Sequence, residues 1–210
     1  MSQPAEPAAS RVDRKERTRR AILDAALALS REGTFAALSL RQVAKQVGIV
    51  PAGFYRHFAS LDDLGLALVD ESFASLRAVL RDVRRRGPAF EEMIDASLDV
   101  LVEHVRARRD HFAFIARERL AGPPVVRDAI AHQIELFERE LAVDLARVPG
   151  TEEWSAEDLH VLADLLVTQV VATAEQIVAV RPGAEQELVA RARTQLRMVL
   201  VGALHWRSRP

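Results

Sequence analysis

The stretch from Ser39 to Phe58 constrains the fold most, because it holds two short helix patterns joined by only three residues. Ser39 and Gln42 have the spacing of a capping box, which predicts the start of the first helix. Gly48 suits the left-handed end of that helix, and Pro51 suits the first turn of the next. The apolar positions of the first helix lie on one face, at Leu40, Val43, Ala44 and Val47. This arrangement predicts a helix-turn-helix, whose second helix suits a DNA major groove.

The charge of the chain is divided unevenly along its length. Residues 1–58 hold ten Lys and Arg against five Asp and Glu, whereas residues 59–210 hold nineteen against twenty-five. A basic end on an acidic remainder favours nucleic acid binding at that end only. The basic side chains of residues 14–20 oppose the dipole at the start of a helix, so phosphate contact explains them better than helix stability. Without the motif beside it, a solvated basic helix would explain the charge equally well.

The composition of the chain limits the kinds of protein that it can form. With 210 residues, 49% of them hydrophobic and 28% charged, the chain is expected to form one or two soluble globular domains. It has no cysteine, so disulfides, thiol nucleophiles and thiolate metal sites are excluded. We expect no signal peptide and no membrane partner, and a cytoplasmic location.

Helical patterns fill the rest of the chain, and no strand pattern or internal repeat interrupts them. We therefore predict an all-α fold of about nine helices. Residues 1–12 form an expected disordered tail, residues 13–72 a DNA-binding head and residues 73–210 a helical body. Ser60 and Asp63 cap a fourth helix that runs from the head into the body without a linker, so a movement of the body would tilt the head. The expected helices cover 13–31, 40–47, 51–58, 61–86, 90–109, 111–120, 125–148, 156–180 and 184–206.

The last two helix patterns are apolar on more than one face. A helix of this kind needs partners on several sides, which one chain does not easily supply. We therefore predict a two-fold, four-helix dimer interface, with a single large core as the alternative. The expected interface residues are Leu162, Leu166, Val170, Leu196, Val199, Leu200 and Ala203.

Enzymatic and metal chemistry find little support in the sequence. Glu157 and His160 match half of a di-iron helix motif, but the sequence has no second E-x-x-H. His104 and His111 lack a third ligand, so core or pocket positions are expected for them. There is no Gly-rich phosphate loop and no nucleophile elbow. We expect no catalytic residue, no metal and no cofactor.

The residues GIVPAGFYRHF, from Gly48 to Phe58, resemble the DNA-binding domain of the TetR family of bacterial repressors. Gly65 to Ser72, Arg117 to Arg119 and Leu196 to Trp206 further resemble one branch, the repressors of unsaturated-fatty-acid synthesis and acyl desaturation (FabR/DesT-like). The family resemblance implies a homodimer that binds a palindromic operator in double-stranded DNA. The branch implies a long-chain acyl thioester, such as acyl-CoA, as the effector in the body.

The resemblance also implies which residues meet DNA. Tyr55 and His57 are expected to contact phosphates. Phe54 could equally well face the DNA groove or pack in the core of the head. Val50 and Gly53 replace small hydroxyl residues that many members carry, which leaves the operator sequence open. The complete expected set is Thr18, Arg19, Ser39, Arg41, Lys45, Pro51, Ala52, Gly53, Phe54, Tyr55 and His57.

The same resemblance implies an apolar effector pocket in the body. For each residue expected to line it, plain packing in the core is an equally good explanation. Arg117 and Arg119 are expected either at phosphates of the effector or, preferably, paired with Glu118 or Asp70 near the head. The expected lining is Met93, Ile94, Leu98, Leu101, Phe112, Phe114, Ile115, Ile134, Phe137, Val167 and Val171.

Two rival functions remain open on the sequence. One is a regulator of the same family that controls an efflux or catabolic operon and responds to a different apolar ligand. The other is a helical lipid-binding or acyl-transfer protein without a DNA function, against which the basic head argues.

Overall fold

The computed structural model describes residues 11–31, 33–85, 90–203 and 205–208. Over these ranges the chain is all-α, as predicted, with nine α-helices, one short 3-10 helix and no strand. The predicted end of the fourth helix, at Gly87 and Pro88, and most of the predicted tail lie outside the described residues. In chain order the elements are α1 Arg11–Leu29, the 3-10 helix Phe35–Ala37, α2 Leu40–Val47, α3 Pro51–Phe54, α4 Leu61–Arg85, α5 Phe90–Ala107, α6 Arg109–Ala121, α7 Pro124–Leu145, α8 Ala156–Ala179 and α9 Gln186–Ala203.

The helix-turn-helix forms as its end signals predict. The Ser39 side chain accepts from the Gln42 backbone N–H, and the Gln42 side chain accepts from the Ser39 backbone N–H. Gly48 ends α2 in the left-handed region, with φ of 74°, which a glycine adopts without strain. Pro51 opens α3, and Val50 before it supplies no side-chain cap. The second helix is shorter than expected, since α3 spans four residues and passes into turns.

Several helix ends differ from the predicted ones. α1 begins before Asp13, which therefore lies in the first turn of the helix instead of capping it. The break between α5 and α6 falls at Arg108, whose φ of −126° and ψ of 37° are not helical. His111 is therefore inside α6, although α6 was predicted to start there. Pro124 opens α7 because the lack of a backbone N–H costs nothing in a first turn.

One continuous apolar core joins the head to the body. Phe35, Phe54 and Phe58 are almost fully buried in the head. Phe35 also packs edge-on against Phe114 of α6, with ring centroids 5.7 Å apart. In α4, Leu64 belongs to the same core. The predicted boundary after residue 72 therefore lies within α4, in a region where packing is unbroken.

A close approach at Gly65 fixes how α4 packs at this junction. A Cβ atom at Gly65 would lie 2.7 Å from Val126 Cγ2 and 2.8 Å from Phe35 Cε1. Contacts this short force the neighbouring side chains to move, so only glycine allows α4, α7 and the 3-10 helix to meet here.

The body packs around α8, which contacts α5, α6, α7 and α9. By length and composition α8 is the one helix among the described residues that is apolar enough to cross a membrane. Its packing against four other helices explains that composition, because a helix apolar nearly all round suits a protein core.

The residues of the predicted dimer stripe differ in how far a single chain buries them. Leu162, Leu166, Leu196 and Leu200 are all buried within their own chain, where α8 and α9 pack against the other body helices. Val170 lines an internal cavity, whereas Leu162, Val199 and Ala203 line a surface groove between α8 and α9. The apolar residues that α8 and α9 leave exposed are Val161, Leu165, Met198 and Val201.

Candidate functional site

The head presents an exposed surface formed by α2, α3 and the turn after α3. Arg41 and Lys45 are exposed on α2, and Pro51 and Ala52 are exposed at the start of α3. Tyr55 is 61% exposed, a large value for an aromatic residue, so its ring and hydroxyl are available to a partner. Five of the residues expected at DNA are therefore exposed on α2, on α3 and in the turn after α3, and none of them is buried in the core.

Phe54 is not among them, because its side chain is fully buried. Its ring contacts those of Tyr55 and Phe58, at centroid distances of 5.8 and 5.7 Å. Phe54 therefore belongs to the core of the head, and the expectation that it contacts the DNA groove was wrong. Gly53 is half-buried, and a Cβ atom there would meet only ordinary van der Waals contacts with Ile49 and Val50.

Arg19 holds α1 against the end of the helix-turn-helix. Its guanidinium lies 4.3 Å from the centroid of the Phe58 ring and donates to the backbone carbonyl of His57 at 3.2 Å. Thr18 Oγ1 donates to the Arg14 carbonyl, a bond within α1. Ser39 remains exposed, with its hydroxyl engaged in the capping box. These contacts orient the surface of the head and leave the remaining donors of Arg19 for a phosphate.

His57 is half-buried at the edge of the same surface. Burial, followed by the positive charges of Lys15, Arg19 and Arg56, lowers the pKa of His57 below its ordinary value. Its Nδ1 is buried and has no hydrogen-bond partner within the protein. The imidazole is therefore neutral near pH 7 and can offer a hydrogen bond to a phosphate, but no charge.

An apolar cavity of about 220 Å³ occupies the body between α4, α5, α6, α7, α8 and α9. Eight of the eleven residues predicted to line the pocket do line this cavity: Leu98, Leu101, Phe112, Ile115, Ile134, Phe137, Val167 and Val171. α4 contributes one wall through Phe73, Leu76 and Leu80. The helix that carries this wall also enters the core of the head, so the two candidate sites share one structural element.

One pocket prediction falls elsewhere, and two lie outside the described side chains. Phe114 lies on a different face of α6 from Phe112 and Ile115, where it packs against Phe35 at the junction with the head. Its position was wrong because neighbouring apolar residues of a helix point in different directions. Met93 and Ile94 lie in α5, and their side chains are outside the described part of the structure.

Sequence reasoning missed three polar residues of the cavity wall. Ser72, Ser97 and Glu175 line it among predominantly apolar neighbours, together with His111, for which a core or pocket position was expected. Ser72 could have been found, because it follows Leu68 and precedes Leu76 by four residues on the inner face of α4. No comparable signal marks Glu175, since only the packing of α8 directs it to the cavity.

The three residues Arg117, Glu118 and Arg119 connect the cavity wall to the head. Arg117 donates to the backbone carbonyls of Ser30 and Gly33, just after α1. Glu118 is fully buried, and burial raises its pKa. Arg119 pairs with Glu175, its Nη2 lying 2.7 Å from Oε1. Arg119 thus pairs with Glu175 and not with the expected Glu118 or Asp70. Arg117 lies beside the head as expected, and its charge acts on Glu118 by lowering the pKa of that carboxyl.

A second polar connection runs on the other side of α4. Glu71 Oε1 lies 2.7 Å from Arg20 Nη1 of α1 and 2.8 Å from Arg108 Nη2 at the start of α6. Arg20 therefore faces the body, where it pairs with Glu71 instead of contacting a DNA phosphate as predicted. Within the described ranges, no group of three His, Cys, Asp or Glu residues could hold a metal ion.

Comparison with known proteins agrees with this geometry. Residues 22–68 match the family model described as bacterial regulatory proteins, tetR family. Residues 90–202, more than half of the chain, match the model described as tetracyclin repressor-like, C-terminal domain. The chain belongs to the TetR family. TetR-family proteins are transcriptional regulators that bind operator DNA, typically as dimers, and respond to small-molecule effectors.

Solved TetR-like structures share the fold along nearly the whole chain. The fatty acid degradation regulator FadR from Bacillus halodurans is similar, with 16% identity, a TM-score of 0.72 and coverage of 98% of this chain and 100% of the other. A transcriptional regulator from Rhodococcus sp. Rha1 has 22% identity and a TM-score of 0.68, covering 90% and 96% of the two chains. A TetR-family regulator from Streptomyces coelicolor has 19% identity and a TM-score of 0.70, covering 90% and 97%.

Proposed function

We propose that this TetR-family protein is a homodimeric repressor of genes for fatty-acid desaturation or unsaturated-fatty-acid synthesis. It binds a palindromic operator through the exposed surface of α2 and α3. A long-chain acyl thioester in the body cavity sets its affinity for that operator. The observation that carries the proposal is the apolar cavity, one wall of which is the same α4 that enters the core of the head.

The cavity supports the proposed ligand class through its lining. Apolar side chains cover most of its wall, so an acyl chain would bury apolar surface at roughly 0.8 kcal/mol per methylene group. A thioester carries no charge and needs no cation inside the cavity. The fatty acid regulator among the similar structures is consistent with this ligand class, but at 16% identity it shares only the fold.

The proposed dimer uses the face of α8 and α9 that the chain leaves uncovered. Val161, Leu165 and Met198 are exposed and line a shallow groove with Trp206, and Val201 is exposed on α9 as well. Pairing this face with its copy about a two-fold axis forms a four-helix interface and spaces two heads for a palindrome.

A gel shift against the DNA upstream of the gene and its neighbours tests the regulatory function. We expect a shifted band at nanomolar protein that persists with excess nonspecific DNA. Native mass spectrometry of the purified protein tests the ligand class, with a co-purified acyl thioester as the expected result. No specific shift on any of these segments would refute the operator, and a different bound molecule would refute the thioester.

One observation favours a second function, control of an efflux or catabolic operon by another apolar molecule. Among the described lining residues none is a lysine or an arginine, so nothing in the wall pairs with the phosphates of a CoA group. A drug-like or aromatic effector needs no such partner. The same mass measurement separates the two functions.

A further inference from the structure

The polar pair Ser72 and His111 forms a defined patch in the cavity wall. Their exposed fractions are only 7% and 8%, and Ser72 Oγ lies 3.0 Å from His111 Nδ1. Both residues line the cavity beside Phe73 and Phe112. Polar groups in an apolar wall cost free energy unless they are hydrogen-bonded, so the partners of each atom show what the patch can still bind.

Arg108 fixes the tautomer of His111. A guanidinium can only donate, and Arg108 Nη2 lies 3.1 Å from His111 Nε2, so Nε2 is the acceptor. The ring proton is therefore on Nδ1, which donates to Ser72 Oγ. The Ser72 hydroxyl in turn donates to the Leu68 carbonyl at 2.6 Å.

Burial favours the neutral form of His111, and the charged groups around it act in both directions. Burial, followed by Arg108, lowers the pKa of His111, and Arg20 acts in the same direction, while Glu71 and Asp110 oppose them. Glu71 holds both arginines in ion pairs, so neither arginine is a free cation for a ligand. The pair thus presents no net charge to the cavity.

We propose that Ser72 Oγ is the recognition point for an uncharged hydrogen-bond donor, such as a hydroxyl or amide N–H, on an otherwise apolar effector. A hydroxyl oxygen has two lone pairs, and His111 occupies one of them, so one remains for a ligand. The hydroxyl proton is already used at Leu68, so a ligand group that can only accept finds no donor at this patch. The inference rests on the proposed function in taking this cavity as the effector site, and it adds a donor group to the acyl chain.

Two isomeric probes of equal size test this site. Decan-1-ol carries a hydroxyl donor, whereas methyl nonyl ether has the same atoms and can only accept. We expect the wild-type protein to bind the alcohol roughly tenfold more tightly in calorimetric titrations, the ratio that one satisfied hydrogen bond produces. Ser72→Ala should reduce this ratio to about one, since alanine has no acceptor at this position.

The controls separate recognition from folding. Ser97→Ala removes another hydroxyl of the cavity wall and should leave the ratio unchanged. Ser72→Thr keeps the acceptor and should keep the preference for the alcohol, even where the added methyl weakens both probes equally. Equal binding of both probes to the wild type, binding of neither, or a preference that survives in a folded Ser72→Ala would overturn the proposal. The operator gel shift is run without probes, so a failure of DNA binding is distinguished from a failure of this site.

Discussion

Glu118 Oε1 accepts a hydrogen bond of 3.0 Å from the backbone N–H of Phe35, so α6 of the body supports the 3-10 helix of the head. Both residues are buried, at 0% and 2% exposed, and the second carboxyl oxygen of Glu118 has no hydrogen-bond partner within the protein. Gly122 lies against this carboxyl, since a Cβ atom there would be 2.9 Å from Glu118 Oε2. The junction between head and body therefore depends on a buried acid that is only partly satisfied.

Replacement of Glu118 should separate its acceptor role from its charge. Glu118→Ala leaves the Phe35 N–H buried without an acceptor, and we expect the free energy of unfolding to fall by about 1–3 kcal/mol. Glu118→Gln keeps an oxygen for that N–H and should cost much less. Urea denaturation of the three proteins measures the difference. Equal losses for alanine and glutamine would show that the hydrogen bond to Phe35 contributes little.

The same residue should produce a pH dependence of known sign. Because burial raises the pKa of Glu118, the folded state binds a proton more readily than the unfolded state, and ionisation lowers stability as pH rises above about 4.5. Glu118→Gln has no such ionisation. The stability of Glu118→Gln relative to wild type should therefore increase between pH 5 and pH 8 in urea titrations. A constant or decreasing difference would contradict a raised pKa.

The salt dependence of operator binding should distinguish charged from uncharged contacts between the head and DNA phosphates. Lys45→Ala should weaken operator binding and reduce the slope of log affinity against log salt by about 0.9, the effect of one neutralised phosphate. Tyr55→Phe should weaken binding to all sequences and leave that slope unchanged, because a phenol carries no charge. Arg139→Ala, an exposed charge on α7, serves as a control with wild-type affinity. A change of base preference in Tyr55→Phe would mean that α3 reads the groove through this residue.

The different exposure of Met198 and Leu200 on α9 predicts different results for substitutions at these two positions. Met198 is 69% exposed in one chain, so Met198→Glu should leave the monomer folded and disrupt the dimer. Leu200 is 5% exposed, so Leu200→Glu should unfold the protein instead. Sedimentation and circular dichroism distinguish these outcomes. A folded dimer in Met198→Glu would place the interface elsewhere.

Acyl chains of different shape should change operator affinity in opposite directions. Straight and bent chains of similar length bury nearly the same apolar area, so both should bind with similar affinity. A ligand shifts a two-state equilibrium only through its different affinity for the two states, and here the difference is shape. We expect oleoyl thioester to strengthen and palmitoyl thioester to weaken operator binding in fluorescence anisotropy. The same operator affinity with either ligand would exclude shape sensing.

Local signals in the sequence were sufficient for the helices and for much of the surface of the head. The capping box at Ser39, the left-handed Gly48 and the first-turn Pro51 act within one or two turns of a helix, so they can be recognised without the fold. Most pocket residues were also predictable, because an apolar body helix presents the same face along its length. These predictions depend on periodicity, which the sequence contains directly.

The errors arose where tertiary packing selects between neighbouring residues. Phe54 and Phe114 are apolar residues that two surfaces could use, and only the packing around Phe58 and Phe35 assigns both to the core. For the same reason the sequence could not separate the buried residues of the dimer stripe from the exposed ones, since both α8 and α9 are apolar on two faces. Ion pairs such as Arg20 with Glu71 join residues about fifty positions apart and leave no local pattern.

Because α4 is continuous, the movement of its head end can be calculated from a tilt at its cavity end. Leu64 in the core of the head and Leu80 in the cavity wall are sixteen residues apart, about 24 Å along the helix axis at about 1.5 Å per residue. A tilt of about 10° at the cavity end displaces the other end by about 4 Å over that length. In a dimer on half-sites about 34 Å apart, the two heads would move by that amount in symmetry-related directions. The separation of the two heads then no longer matches the fixed spacing of the DNA grooves. A ligand that never touches DNA can in this way release the protein from its operator.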